Sequence, residues 1–240
     1  MKQKDCFITF DMDWVPDEVM EWFVEFCDES EIRGTLMVTN DSPLLNKIRS
    51  DGKLELGIHP NFNQLLSGED DIRKNMNGAI SLVKDIVPEA VTVRSHALVT
   101  GSVIENAFRK AGLKYELNFL YVPKPGDRIS AWKDIYGIIR IPFIFEDDIW
   151  FTGDVSIKPE YYLDGKWDVP LIFNFHPIHL YLNTCNQLQY DRAKKHYQNV
   201  EKLKKHVNKE EFGTRDFFKR LVSLLTRKDI KMLQISEKEW

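Results

Sequence analysis

The 240-residue chain is poor in cysteine. It has Cys6, Cys27 and Cys185, an odd and widely spaced set that suits neither a disulfide framework nor a cysteine-based zinc site. Long apolar runs are also missing. None approaches the ~18 residues a membrane helix requires, so membrane insertion is not expected. Positive charge is not in excess either: 33 Lys and Arg against 37 Asp and Glu give a net charge of −4, whereas nucleic-acid binders present a basic face. The first residues, Met1-Lys-Gln-Lys-Asp5, run straight into the strand-like Cys6 to Phe10 with no apolar signal core. The expectation is therefore a reduced, cytoplasmic protein. No repeat, low-complexity tract or linker divides the chain, so residues 1–240 are expected to form one domain.

What is present is a regular alternation of short apolar runs with helical periodicity, the pattern of a parallel β/α architecture. Strands are expected at Cys6–Phe10, Thr35–Thr39, Leu54–Ile58, Val91–Val93, Lys114–Leu117, Ile138–Phe145 (interrupted by Pro142), Leu171–Phe175 and Met232–Ile235. A first helix opens at Pro16 and presents Val19, Met20, Phe23, Phe26 and Cys27 on one face. A short helix follows Asp41-Ser-Pro43, and another carries Ile72, Met76, Ala79, Ile80 and Val83. Ser102 and Glu105 form a capping-box pattern ahead of a helix that Gly112 ends. Two further helices are expected, at Gln187–Val207 and Glu210–Thr226.

The chemistry-bearing residues gather at strand ends. Of six histidines, His59, His96, His176 and His179 fall just after predicted strands, and Asp11 and Asp13 stand at the same place after the first. His196 and His206 lie on polar helices and read as solvated. In parallel β/α folds the strand C-termini face one rim, where active sites are built. Ionised carboxylates at an apolar strand end need cations or donors, and strand alternation lets Asp11 and Asp13 point the same way; the alternative is that one caps the helix at Pro16. Two such carboxylates can divide labour, one binding a metal and one taking a proton. Gly57 permits close backbone approach beside His59. Arg94, ending an apolar strand, needs a carboxylate partner, and Asp11 is the natural one. An imidazole titrating near neutrality suits proton donation to a leaving amine, a role given to His176 over His179 because it is nearer its strand.

These segments, in this order, resemble the NodB-type polysaccharide deacetylases, carbohydrate esterase family four, and in particular a divergent branch linked to bacterial surface-polysaccharide (O-antigen) synthesis. Thr9-Phe-Asp11-Met-Asp13 resembles the family's Thr-Phe-Asp-Asp motif with one residue inserted, Gly57-Ile-His59-Pro-Asn61-Phe-Asn63 its His-x-x-x-His motif, Arg94 its orienting arginine, and Phe175-His176 its late catalytic histidine. The resemblance implies a deformed (β/α)7-type barrel, the NodB-homology fold, with Asp11 as base, Arg94 orienting it, His176 as acid, and Asp13 and His59 as metal ligands. The second metal histidine of the family falls at Asn63, a poor ligand, and His96 on the next strand end is the residue expected to replace it.

The activity expected is removal of an N-acetyl group from a sugar of a surface polysaccharide or its precursor. One divalent ion is implied, with zinc the default and iron, cobalt, nickel and manganese the other candidates. Asn63, Asn118, Trp14 and His179 are expected to bind substrate. Trp14, Phe62, Phe119, Tyr121, Trp132 and Trp150 are candidate sugar platforms. Glu146, Asp147 and Asp148 are candidates to bind hydroxyls or to pair with Arg94. The competing readings are a catalytically inactive carbohydrate-binding homologue, an Asp-x-Asp glycosyltransferase and a hydrolase of another C–N bond. The sequence leaves the oligomeric state open.

Overall fold

A computed structural model of the chain describes residues 5–63 and 76–240. The part of the polar loop from Gln64 to Gly68, and Ile72 of the expected helix face, lie outside them. The strands are β1 (Asp5–Asp11), β2 (Gly34–Val38), β3 (Leu54–Ile58), β4 (Thr92–Val93), β5 (Tyr115–Leu120), β6 (Trp132–Lys133), β7 (Ile139–Phe143), β8 (Phe145–Glu146), β9 (Leu171–Phe175) and β10 (Lys231–Leu233). Those of the barrel wall are buried on both sides, so they read as near-continuous apolar runs rather than alternating ones; every residue of β9 is buried.

Parallel pairing runs β5–β4–β3–β2–β1–β9–β8. The sheet closes because β7 pairs with β5 while β8, one residue on, pairs with β9. The intervening Ile144 N–H donates to Ile172 O at 3.0 Å. Thus β7 and β8 act as one long strand, and the wall is a seven-strand barrel: β1, β2, β3, β4, β5, β7/β8 and β9. Pro142 does not interrupt this strand; it sits inside β7 opposite Phe119, where β5 carries a register shift. Short β6 pairs antiparallel to β7, and β10 adds to the start of β1.

Phe7, Met37, Leu117, Ile141, Phe143, Ile172 and Ile235 fill the lumen. A larger apolar layer lies between the barrel and its helices: α1 (Asp17–Glu29), α2 (Leu44–Asp51), α3 (Met76–Lys84), α4 (Ser102–Lys110), α5 (Asp147–Thr152), α6 (Pro159–Asp164), α7 (Pro177–Leu182), α8 (Gln187–Lys194), α9 (Val200–Leu203) and α10 (Thr214–Arg227). The expected face of α1 is buried throughout. At Gly57 a Cβ would meet Thr92 O at 3.0 Å and Met37 Sδ at 2.6 Å, so the missing side chain lets β3 close on β4 just before His59.

Two expectations are corrected. The Ser102–Glu105 capping box does not form: Gly101 caps α4 without a side-chain bond. The Glu105 carboxylate instead accepts from Thr100 Oγ1 and pairs with Arg140, each at 3.1 Å, because a half-buried guanidinium competes more strongly than a backbone N–H. The helix expected across Gln187–Val207 is broken between α8 and α9, where the Asn199 side chain accepts from Lys202 N–H and starts a new helix. Two six-residue helices, α5 and α7, were not expected; they follow the strand ends closely, and Pro177 occupies the first turn of α7, where its missing N–H costs nothing.

Candidate active site

The C-terminal rim collects side chains from five staves of the barrel. Beneath it lies a buried knot around Arg94, whose side chain is fully enclosed. Its guanidinium donates to Asp11 Oδ1 at 2.9 Å, Asn174 Oδ1 at 2.5 Å, Thr9 Oγ1 at 2.9 Å and Leu117 O at 3.0 Å, and its plane covers Phe143 with 4.5 Å to the ring centre. Asn174 Nδ2 donates to Asp11 Oδ2 at 2.8 Å. Register explains the meeting: Thr9 and Asn174 are direct cross-strand partners on β1 and β9. Burial pushes the Asp11 carboxyl up, but Arg94, His59 and His176 together outweigh this and hold it below its ordinary value. Asp11 is therefore an enclosed, oriented carboxylate.

Above the knot, Asp13 Oδ1 lies 3.2 Å from His59 Nε2 and 3.3 Å from His96 Nδ1. The strand ends of β1, β3 and β4 thus converge as the sequence pattern expects. Asp13 Oδ1 and His59 Nδ1 are buried without a hydrogen-bond partner, a costly condition for polar atoms. Two ligands held at about 2.0–2.2 Å in a tetrahedral array stand about 3.4 Å apart, so these spacings match ligand edges around one cation. The donor set of one carboxylate and two imidazoles fits a divalent ion with an open position. Burial raises the Asp13 pKa, yet His59 and His96 hold it well below the carboxylate range.

The backbone here is unusual. Asp13 and Trp14 have φ of 46° and 54°, and Ala97 and Leu98, just after His96, have 55° and 54°. Non-glycine residues adopt this left-handed region at a cost of about 1–3 kcal/mol each, chiefly at functional sites.

His176 faces the same space from β9. Its Nε2 is 3.6 Å from Asp13 Oδ2 and 3.9 Å from Asp11 Oδ2. Behind it, Asp147 accepts from His176 N–H at 2.9 Å and is 2.6 Å from Nδ1. Burial lowers the His176 pKa, but the carboxylates around it, Asp147 foremost with Asp13 and Asp148, outweigh this and hold it well above 6.5. Burial pushes Asp147 up to about 6 against the pull of His176. Among Glu146, Asp147 and Asp148, then, it is Asp147 that has a partner in the site, and that partner is His176, not Arg94.

Among the described residues two other groups have metal-ligand types within reach, Asp147–His176–His179 and Asp11–Glu146–His176. The atoms of the first are committed to hydrogen bonds, with His179 Nδ1 3.2 Å from Thr184 Oγ1, and Asp11 is committed to Arg94 and Asn174. Among the described residues, only the Asp13 group combines ligand spacing with an orphaned carboxylate oxygen.

The four residues expected to bind substrate are placed differently. Trp14 is 37% exposed, its ring set edgewise against His96 at 5.1 Å. Asn63 is exposed, with its N–H on Asn61 Oδ1. Asn118 is buried: its Oδ1 accepts from Ser95 N–H at 2.7 Å, and its Nδ2 donates to Ser95 Oγ, Val99 O and Glu116. It braces the loop carrying His96. His179 is buried behind His176 against Phe151 and Tyr190, and burial with its neighbour's charge holds its pKa well below 6.5. Of the aromatic platform candidates, Phe62 and Trp150 are core residues. Trp132 pairs with Arg140 near the start of β7, and its ring meets Phe119 edge to face. The Tyr121 hydroxyl donates to Asp127. Pattern reading gave Thr9 and Asn174 no role of their own, although an asparagine inside the apolar run Leu171–Phe175 is a legible signal, and it missed Tyr197, whose hydroxyl donates to Asp13 O at 2.6 Å.

Residues 8–194 match the family described as WbmS-like polysaccharide deacetylase. A crystal structure from Bordetella bronchiseptica, described as a polysaccharide deacetylase involved in O-antigen biosynthesis, is 30% identical, with a TM-score of 0.77 over 91% of this chain and 90% of that one. The Bc1960 peptidoglycan N-acetylglucosamine deacetylase (9% identity, TM-score 0.53, 98% and 88% covered) and the peptidoglycan deacetylase PdaC of Bacillus subtilis (11%, 0.50, 98% and 90%) share the fold. No curated protein matches.

Proposed function

The chain belongs to the WbmS-like polysaccharide deacetylases, and we propose that within this family it is a metal-dependent N-deacetylase acting on an N-acetylated sugar of a surface polysaccharide or its precursor. The observation that carries the metal is the Asp13 carboxylate oxygen, buried and unbonded between two imidazole nitrogens at 3.2 and 3.3 Å. The link to surface polysaccharide rests on the O-antigen role described for the Bordetella protein.

In this reading Asp13, His59 and His96 hold the ion, with zinc the default for such donors. When bound, a divalent ion lowers the pKa of a water toward about 7 and polarises the amide carbonyl. Asp11, ionised and aimed by Arg94 and Asn174, takes the proton from the attacking water. His176, kept protonated by Asp147, presents Nε2–H on the far side of the carboxylates and donates it to the leaving sugar amine. General acid–base groups of this kind contribute about 10²- to 10⁴-fold each. Trp14, at the mouth, offers an apolar ring face to the sugar. The Asp-x-Asp glycosyltransferase reading does not fit the family.

The test is acetate release from N-acetylated glycans by protein stripped of metal and then reloaded. Hydrolysis should vanish on stripping and return with zinc or another divalent ion. Full turnover after exhaustive stripping would overturn the proposal.

A further inference from the structure

Asp13 lies past the end of β1, where the strand no longer dictates its direction, and it and Trp14 both sit in the left-handed region. A tryptophan does not hold that conformation unaided. A backbone turn bond, Val15 N–H to Met12 O at 3.2 Å, and three side chains from elsewhere hold it. Tyr197 OH donates to Asp13 O at 2.6 Å, from 184 residues away; Gln198 Nε2 donates to Trp14 O at 2.9 Å; and Trp14 N–H donates to Thr39 Oγ1 at 3.0 Å. Tyr197 and Gln198 occupy the turn between α8 and α9, where the expected long helix breaks. Both lie beyond residue 194, where the family match ends.

We infer that Tyr197, assisted by Gln198, is a positioning latch for the metal site. It bonds the carbonyl of Asp13 and leaves the carboxylate free. The bond fixes the backbone that aims this carboxylate at His59 and His96, so the affinity of the site for an ion depends on a turn outside the barrel. The same latch sets the Trp14 ring against His96, so one element determines both sides of that imidazole. Removing the hydroxyl leaves the phenyl ring to fill its place and deletes only the donor; Asp13 then loses the bond on its own carbonyl, and its carboxylate is held less firmly toward the imidazoles. The inference rests on the reading of Asp13 as a metal ligand.

The experiment titrates zinc against a chromophoric chelator in wild type, Tyr197→Phe and Gln198→Ala, and records the thermal midpoint of each metal-free protein. Outer-shell partners of metal ligands typically contribute 10- to 100-fold in affinity. Tyr197→Phe should therefore bind zinc about 10- to 100-fold more weakly and Gln198→Ala less weakly than that, with the metal-free midpoints close to wild type. Should Tyr197→Phe fail to fold, Gln198→Ala carries the test with the same sign. Zinc affinity equal to wild type in the folded variants overturns the latch, and so does a lowered metal-free midpoint with affinity unchanged, since that marks an ordinary packing role. A wild type that binds no zinc, cobalt, nickel or manganese fails differently: it overturns the metal reading of the preceding subsection.

Discussion

The floor of the site and its rim are built from the same strands yet satisfied in opposite ways. In the floor, Arg94, Asp11, Asn174 and Thr9 are all at most 1% exposed, and each of their side-chain polar atoms has a partner within the protein. At the rim, Asp13 Oδ1 and His59 Nδ1 have none, and the backbone beside two of the three candidate ligands is left-handed. A buried polar network is stable only when complete. The floor is complete as folded, whereas the rim keeps two buried polar atoms that the protein itself leaves unpaired. On the proposed reading the floor serves orientation, and the rim binding.

The comparison is broken most severely at its lower half. Arg94→Met leaves Asp11 buried without its cation and should cost about 3–5 kcal/mol in denaturant unfolding at neutral pH. The sign with pH follows from linkage. Asp11, with its folded pKa lowered from 3.8, stabilises the native state above that value and loses the contribution as pH falls through the lowered one. The gap between wild type and Arg94→Met should therefore narrow on acidification. A gap constant with pH would mean that Arg94 acts through packing alone.

A smaller effect is expected between floor and rim. Asp147 holds His176 protonated above its ordinary range, so a reaction that needs His176 as acid fails only as pH rises through that elevated value. Asp147→Asn removes the charge and should move the alkaline limb of the kcat/KM profile to lower pH. On that limb, activity at pH 8 should fall by about 10-fold for every pH unit the limb moves. A limb that stays in place would show that His176 is not the titrating acid.

The smallest effect sharpens the placement of Asn118. As a brace under the His96 loop, Asn118→Ala should cost about 1–3 kcal/mol of stability and weaken zinc binding, with KM nearly unchanged once the protein is saturated with metal. A rise in KM alone would instead restore it to the substrate-binding residues.

Much of the fold was legible because its signals are local. Leu54–Ile58 and Leu171–Phe175 are apolar runs of strand length bounded by polar residues, and α1 carries its buried face at helical spacing with Pro16 before it. The site was legible for a related reason: Asp11, Asp13, His59, His96 and His176 each follow a strand, and a parallel barrel turns every such end to one rim. What misled was competition. Glu105 looked like a helix cap but faces Arg140, which approaches from β7. Asn118 looked like a rim residue but turns toward the backbone of a neighbouring loop. Phe62 and Trp150 looked like loop aromatics, and the helical layer encloses them.

Strand and helix order, the strand-end placement of carboxylates and imidazoles, and the need of Arg94 for an anion are properties of the sequence itself, because they depend on spacing within a few residues. The pairing of Asp147 with His176, the bracing role of Asn118, and the hold of Tyr197 on Asp13 were decided only in three dimensions. They join residues from 23 to 184 positions apart, and no local pattern encodes which polar group barrel closure and the packing of the helices bring within hydrogen-bond reach.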